Sequence, residues 1–213
     1  MPHRTGGEPV AVVPLKALNR SKGRLAGSLD SSRRLALVRW MFTRVVVACR
    51  SASTVGDVLV VAGDESAASL ARELDVEVLV EPRHGLATAM ATADRATGGA
   101  AATLVVAADL PLTTAPDVDA VCRAGRRGPC VVVAPTNDGG TAALLRRPAG
   151  VVPTSYGPDS ASAHLQAARA AGVRAVQVDI PALALDVDTA EDLRRMRAAH
   201  PTAGAAISGL SGR

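Results

Sequence analysis

Thr103-Leu104-Val105-Val106-Ala107-Ala108-Asp109-Leu110-Pro111 (TLVVAADLP) is a short apolar run that ends on a carboxylate and a proline. A run of this length, rich in Val and closed by a breaker, reads as a strand buried on both faces. Such strands belong to parallel sheets covered by helices. In sheets of this kind ligands sit at the carboxyl ends of the strands. Asp109 stands at such an end.

Working outward, similar runs recur at Val10 to Val13 (VAVV, before Pro14), Asp57 to Ala62 (DVLVVA), Val76 to Val80, Cys130 to Ala134 (CVVVA) and Val173 to Val178. Helical segments lie between them. Asp30, Ser31 and Ser32 can cap a long helix to about Arg50, with Leu35, Val38, Phe42, Val45 and Cys49 at helical spacing. Asp64 to Leu74, Leu86 to Ala96 (after His84-Gly85), a segment capped by Thr114 with Pro116 in its first turn, Ser160 to Ala171 and Thr189 to Ala199 complete the set. Leu15 to Ala26 (LKALNRSKGRLA) is polar, basic and aperiodic and reads as a loop. Asp138-Gly139-Gly140 reads as a turn ahead of Thr141 to Arg146. Strand–helix alternation at this spacing predicts an α/β protein with a single doubly wound sheet. The domain is expected over 1–199. His200 to Arg213, rich in Gly, Ser and Ala, reads as a disordered, dispensable tail.

The chain of 213 residues has one Trp, one Tyr and one Phe, so the core must be built from Val, Leu, Ala and Ile. The formal charge of +4 and a pI of about 9.5 suit an anionic small molecule. With no Lys/Arg block and almost no stacking residues, the composition argues against nucleic acid as a partner. No apolar stretch reaches the roughly 18 residues that span a membrane. Cys49, Cys122 and Cys130 show no metal spacing, and an odd count without a signal peptide predicts reduced thiols and a cytoplasmic location. A homodimer is left open.

Five features fall where chemistry is expected. Lys16, Lys22 and Arg24 lie in the basic loop after the first strand. That loop is placed for phosphate, and the guanidinium fork of Arg24 suits phosphate oxygens. Asp109 meets the crevice, or serves as a turn aspartate. In Asp186-Val187-Asp188, residues i and i+2 project to one side, and two like charges there call for a cation such as magnesium. Asp188 would also serve as a cap for the last helix. Gly157-Pro158-Asp159-Ser160 opens a helix whose amides can bind an anion, unless Asp159 or Ser160 is an ordinary cap. Gly139-Gly140 before Thr141 permits close approach of a ligand, or makes a hairpin turn. Together these features fit phosphoryl or nucleotidyl transfer.

The order of Pro14-Leu15-Lys16, Lys22-Gly23-Arg24-Leu25-Ala26, Asp109-Leu110-Pro111, Asp138-Gly139-Gly140-Thr141, Tyr156-Gly157-Pro158-Asp159-Ser160 with His164, and Asp186-Val187-Asp188-Thr189 resembles the 2-phospho-L-lactate or phosphoenolpyruvate guanylyltransferases of coenzyme F-420 biosynthesis. The resemblance covers about Val10 to Arg197. It implies a nucleotidyltransferase fold of the glycosyltransferase-A type, with a mostly parallel mixed sheet. It also implies transfer of GMP from GTP to phosphoenolpyruvate or 2-phospho-L-lactate, and a requirement for magnesium. By position, Asp109, Asp186 and Asp188 match the metal ligands, and Thr141, Gly157 and Ser160 match residues that hold the phosphorylated acid. Lys16, Lys22 and Arg24 match the nucleotide-phosphate loop, so Lys22, Arg24 and Asp109 are the catalytic candidates. The chain departs from the family at Gly23, commonly Ser or Thr; at Ala87, often Asn, which bears on guanine selection; and at Ala142, often Asn, where it is closer to actinobacterial members associated with phosphoenolpyruvate. The loop LKALNRSKGRL holds one glycine, which argues against molybdenum-cofactor or sugar nucleotidyltransferases with their Gly-rich loop. A catalytically silent nucleotide-binding subunit is a rival of another class; retention of three aspartates argues against it.

Overall fold

The computed structural model describes residues 7–18, 22–82 and 85–199. The 200–213 tail expectation, and the Asn19–Ser21 part of the basic loop, lie outside these residues. The elements in chain order are β1 (Val10–Leu15), α1 (Ser31–Ser51), β2 (Asp57–Ala62), α2 (Glu65–Arg72), β3 (Glu77–Val80), α3 (Leu86–Thr97), β4 (Thr103–Val106), α4 (Ala115–Ala124), β5 (Cys130–Pro135), β6 (Thr141–Arg147), α5 (Ser160–Ala170), β7 (Arg174–Gln177), α6 (Pro181–Ala184) and α7 (Ala190–Ala199).

All seven strands form one sheet in the order β3-β2-β1-β4-β6-β5-β7. Four of the six pairings are parallel, as expected for a mostly parallel, doubly wound sheet, and β6 is the exception, running antiparallel to both β4 and β5. The Asp138-Gly139-Gly140 turn makes this reversal possible. Gly139 sits at φ +84°, a backbone region that costs glycine little, and its amide donates to the Thr136 carbonyl at 3.1 Å.

Alternation along the strands divides the core. Ala11, Val13, Val60, Leu104, Val106, Val132 and Leu145 face α1, α2 and α4. Val12, Val61, Val105, Val131, Val133 and Leu144 face α3 and α5 through Met90, Ala93, Leu165 and Ala168. Helix α1 has the expected stripe at Val38, Phe42, Val45 and Cys49, but Leu35 is exposed. Leu37 and Met41 are buried instead, in a third cluster with Leu25, Leu29, Leu185, Val187, Leu193 and Met196. That cluster fixes two irregular segments, the one after Lys22 and the one carrying Asp186 and Asp188, against α1 and α7. Among the described residues, no helix is long and apolar enough to cross a membrane.

Candidate active site

A cavity of about 250 Å³ opens at the carboxyl ends of β1 and β4, where strand topology predicts it, and Lys16, Lys22, Asp109, Thr141, Tyr156 and Asp188 line it. Lys22 has a left-handed backbone, with φ +57°, uncommon for a residue with a side chain. Leu25, fully buried, anchors the 3-10 turn Gly23–Leu25 that follows it. Gly23 has open space where a side chain would start, so the family's Ser or Thr would fit there too.

The Lys22 ammonium donates to Asp109 Oδ2 and Asp188 Oδ1, each at 2.5 Å. Burial alone would lower its pKa, but Asp109 and Asp188 outweigh burial and raise it. Asp188 shows the converse. Burial works to raise its pKa, yet Lys22 by charge and hydrogen bond, with Arg24 and Lys16, holds it below the usual carboxylate range. Arg24 stands at the mouth, largely exposed, with Nη1 4.0 Å from Asp188 Oδ2. Lys16 is exposed on the cavity wall.

Asp188 is not the cap of α7. Thr189 and Asp192 form a reciprocal capping pair, in which the Asp192 carboxylate accepts from the Thr189 amide at 2.9 Å and the Thr189 hydroxyl accepts from the Asp192 amide at 3.3 Å. The Asp188 carboxylate is thereby left to the cavity. Val187 is buried, so Asp186 and Asp188 emerge on the opposite side from it. Asp186 has a different environment from Asp188. Burial first, then the charges of Asp109, Asp138 and Asp188, push its pKa up to about 6. The short helix α6, not anticipated from the sequence, aims this segment: the Asn137 amide donates to the Ala184 carbonyl at 2.8 Å and ties it to the β5–β6 turn.

Thr141, Ser160 and His164 form a buried chain. Thr141 Oγ1 lies 2.9 Å from Ser160 Oγ and 3.1 Å from His164 Nδ1, and the Ser155 amide donates to His164 Nε2 at 2.9 Å. An amide can only donate, so Nε2 accepts and the ring proton sits on Nδ1, directed to Thr141 Oγ1. The threonine's own proton then points to Ser160 or into the cavity. Burial, helped by the Arg146 charge, pushes the His164 pKa down to about 4. The ring stays neutral at working pH and the arrangement holds. Tyr156 packs edge-on against it, 5.3 Å between centroids.

His164→Asn, which can keep a donor near Nδ1, is expected to retain more of the affinity for an acid at Thr141 than His164→Gln, which keeps the Ser155 contact. Michaelis constants for the acid in the two variants check this; the reverse order would show that the Ser155 end matters and the Thr141 end does not.

Two expectations about the helix start are modified. Asp159 has a left-handed backbone and makes no cap bond with its side chain, so the ordinary-cap reading fails for it. The amides there are partly used: that of Ser160 donates to the Gly157 carbonyl at 3.2 Å and that of Ala161 to the Gly139 carbonyl at 3.3 Å. Gly139 therefore serves both as a hairpin turn and as a support for α5. Gly157 is exposed beside this helix, while the Ser160 hydroxyl is buried. The structure thus brings Lys16, Lys22, Asp109, Thr141 and Asp188 around one cavity. Asp186 lies close enough to feel Asp109 and Asp188. Ser160 reaches the cavity through Thr141.

The model of the "Guanylyl transferase CofC like" family matches residues 10–200. The chain belongs to this family. A phosphoenolpyruvate guanylyltransferase from Rubrobacter xylanophilus is 42% identical over 191 residues, 88% of this chain and 93% of that one. A 3-phospho-D-glycerate guanylyltransferase from Colwellia psychrerythraea is 32% identical over 184 residues, 85% of this chain and 88% of that one. Among solved structures, a nucleotidyl transferase from Methanothermobacter superposes with a TM-score of 0.64 at 18% identity, covering 91% of this chain and 98% of that one. A 4-diphosphocytidyl-2C-methyl-D-erythritol synthase gives 0.62 at 16%, covering 90% and 97%. The fold is thus the nucleotidyltransferase fold of glycosyltransferase-A type, as the motif order implied.

Proposed function

We propose that this chain is a cytoplasmic guanylyltransferase that moves GMP from GTP to phosphoenolpyruvate, releasing pyrophosphate and forming enolpyruvoyl-2-diphospho-5'-guanosine for coenzyme F-420 biosynthesis. The observation that carries the reading is the cavity at the ends of β1 and β4, where Lys16, Lys22 and Arg24 face Asp109 and Asp188 with Thr141 on the wall. A phosphate oxygen of the acid attacks the α-phosphorus, and the bond to the β-phosphate oxygen breaks. A phosphate monoester is largely dianionic at neutral pH, its second pKa being about 6, so the chain need not supply a general base.

The difficulty is repulsion between two polyanions. Lys16 and Arg24 are placed to hold the triphosphate and to stabilise charge on the departing pyrophosphate. Lys22 holds Asp109 and Asp188 in position. Thr141, oriented by His164, donates to the acid, and Gly157 and Ser160 close that side. Among the described residues, no group of three His, Cys, Asp or Glu is already assembled as a metal site. The carboxylates nevertheless suit a hard cation: an ammonium already bridges two of them, and burial together with the other carboxylates' charges raises the pKa of Asp186. Magnesium, held by Asp109, Asp186 and Asp188, would supply positive charge between the two substrates.

The relative named for 3-phospho-D-glycerate favours a second reading of the acceptor. Phosphoenolpyruvate, planar at C2, and 2-phospho-L-lactate, tetrahedral there, differ by little. Such a difference gives only about 1–3 kcal/mol of discrimination in an apolar pocket. Pyrophosphate release is to be measured with GTP, magnesium and each of the three acids. The expected result is a graded preference led by phosphoenolpyruvate; no release with any of them would overturn the reading.

A further inference from the structure

Arg44 lies half-buried on α1, one turn after Met41 of the cavity wall, and has no carboxylate partner among the described residues. Its Nε donates to the Pro111 carbonyl at 2.6 Å, and its guanidinium carbon lies 5.3 Å from the centre of the Trp40 ring, four residues earlier on the helix. An arginine bonded to a carbonyl and a ring, with no ion pair, is held for its place and its fork. Pro111 is buried, and a buried carbonyl needs a donor. It stands two residues after Asp109, in the segment that joins β4 to α4. Other restraints there are few. Leu110 is buried in the core, the Thr113 amide donates to the Leu110 carbonyl at 3.3 Å, and the buried Thr113 hydroxyl has no partner among the described residues.

The same helix supports the other carboxylates. Leu37 and Met41 share a cluster with Val187, the residue between Asp186 and Asp188, and Trp40 and Leu112 pack against that cluster. Lys22 ties Asp109 to Asp188 from the cavity side. A metal cation and the ammonium cannot occupy one place, so the spacing of the carboxylates has to be set from behind. For Asp186 and Asp188 the buried Val187 does this. For Asp109 the bond from Arg44 to Pro111 does.

We propose that Arg44, braced by Trp40, is a positioning residue for the cation site: through the Pro111 carbonyl it fixes where Asp109 stands relative to Asp186 and Asp188. The inference rests on the reading above that these carboxylates hold the metal. Cation sites tolerate deviations of only about 0.2 Å in ligand distance. Removing a group that orients a ligand costs about 10–100-fold in metal affinity. Arg44 acts through the backbone between Pro111 and Asp109, so the lower limit applies.

The test uses the full chain with manganese as the probe, titrated in the presence of GTP and followed by electron paramagnetic resonance of the free ion, beside hydrogen exchange of the backbone amides. Arg44→Met keeps much of the stem and removes the donor. It should weaken manganese binding about tenfold and speed exchange at Leu110, Leu112 and Thr113, with the KM for the acid unchanged at saturating metal. Arg44→Lys can still donate to Pro111 and should recover most of both losses. Arg50→Met is the control. Arg50, on the same helix, donates to the Leu74 carbonyl at 2.5 Å, ahead of β3 and away from the cavity, and its loss should leave manganese affinity as in the wild type. If Arg44→Met does not fold, Trp40→Leu removes the brace alone and should weaken manganese about two- to fivefold, the scale of a cation–π contact. Wild-type affinity in the folded variant, an equal loss in Arg50→Met, or a loosened segment with undiminished binding would each overturn the assignment. If the wild type binds no manganese, the metal reading falls and this inference with it. If it binds manganese and no acid supports pyrophosphate release, the transfer reading fails, and manganese affinity still decides the role of Arg44.

Discussion

Replacing Asp186 by Asn is expected to cost at least about a hundredfold in turnover, some 2.7 kcal/mol of barrier, while making the folded protein more stable. The two effects have one cause. Burial and the neighbouring charges of Asp109, Asp138 and Asp188 push the Asp186 pKa up to about 6, from an ordinary value of 3.8. Between those pH values the folded chain holds a proton that the unfolded chain has released. The contribution of Asp186 to stability is therefore present below pH 3.8 and is lost as pH rises through 6. At pH 7 the group is ionised among like charges, and its removal should return about 1 kcal/mol once solvent screening is allowed for. That is a rise of about 2–4 °C in melting temperature for a chain of this size. The difference between variant and wild type should shrink as the pH falls from 7 to 4. His164, whose depressed pKa lowers stability over the same range, acts equally in both proteins and cancels. Magnesium at millimolar concentration should raise the melting temperature of the wild type more than that of the variant. A structural aspartate would give the opposite pattern, lower stability with turnover retained, and that result would remove Asp186 from the site.

The strands were readable because each buried run is short, Val-rich and bounded by Pro, Gly or charge. The reversal at β6 was less so. Thr141 to Arg147 carries no local mark of its direction, which comes from pairing with β4 and β5. Helix α1 illustrates a similar limit. A periodic pattern reveals one apolar stripe, and Leu35 falls on it. In the folded chain α1 serves two partners, the sheet and a cluster from Leu185 to Met196, so Leu37 and Met41 are buried and Leu35 is exposed.

The site divides in the same way. Asp109 could be singled out because it ends a buried strand, and Asp186 and Asp188 because of their spacing. The bridging role of Lys22 joins residues 87 and 166 positions away, and no local window contains it. His164 appears in the sequence as a lone histidine on a helix, and its tautomer is fixed by the Ser155 amide, which only the folded loop supplies.

Arg146→Met is expected to produce the largest loss of stability of any change away from the cavity. Arg146 is the largest fully buried side chain, 1% exposed, on β6. It makes a two-point pair with Asp94 of α3, and its Nη1 also donates to the Val152 carbonyl at 3.2 Å. Among the described residues its Nε has no partner, so the guanidinium already carries part of its desolvation cost uncompensated. Removing the cation leaves Asp94, about one-third exposed at its side chain, facing an apolar interior. Breaking a buried pair from one side costs about 3–5 kcal/mol. The solvent access of Asp94 places this case near the lower limit, a fall of about 6–12 °C at 2–4 °C per kcal/mol. The double variant Arg146→Met with Asp94→Leu should recover most of that loss, because replacing both partners by apolar groups of similar volume is often neutral. Thermal and denaturant unfolding of the two single variants and the double variant form a complete cycle. Arg146 also depresses the His164 pKa, so in a folded Arg146→Met chain the ring should titrate higher, visible in the pH dependence of its NMR shifts. If the double variant were no more stable than Arg146→Met, the arginine would be contributing through packing of its stem between β6 and α3, and the ion pair would add little.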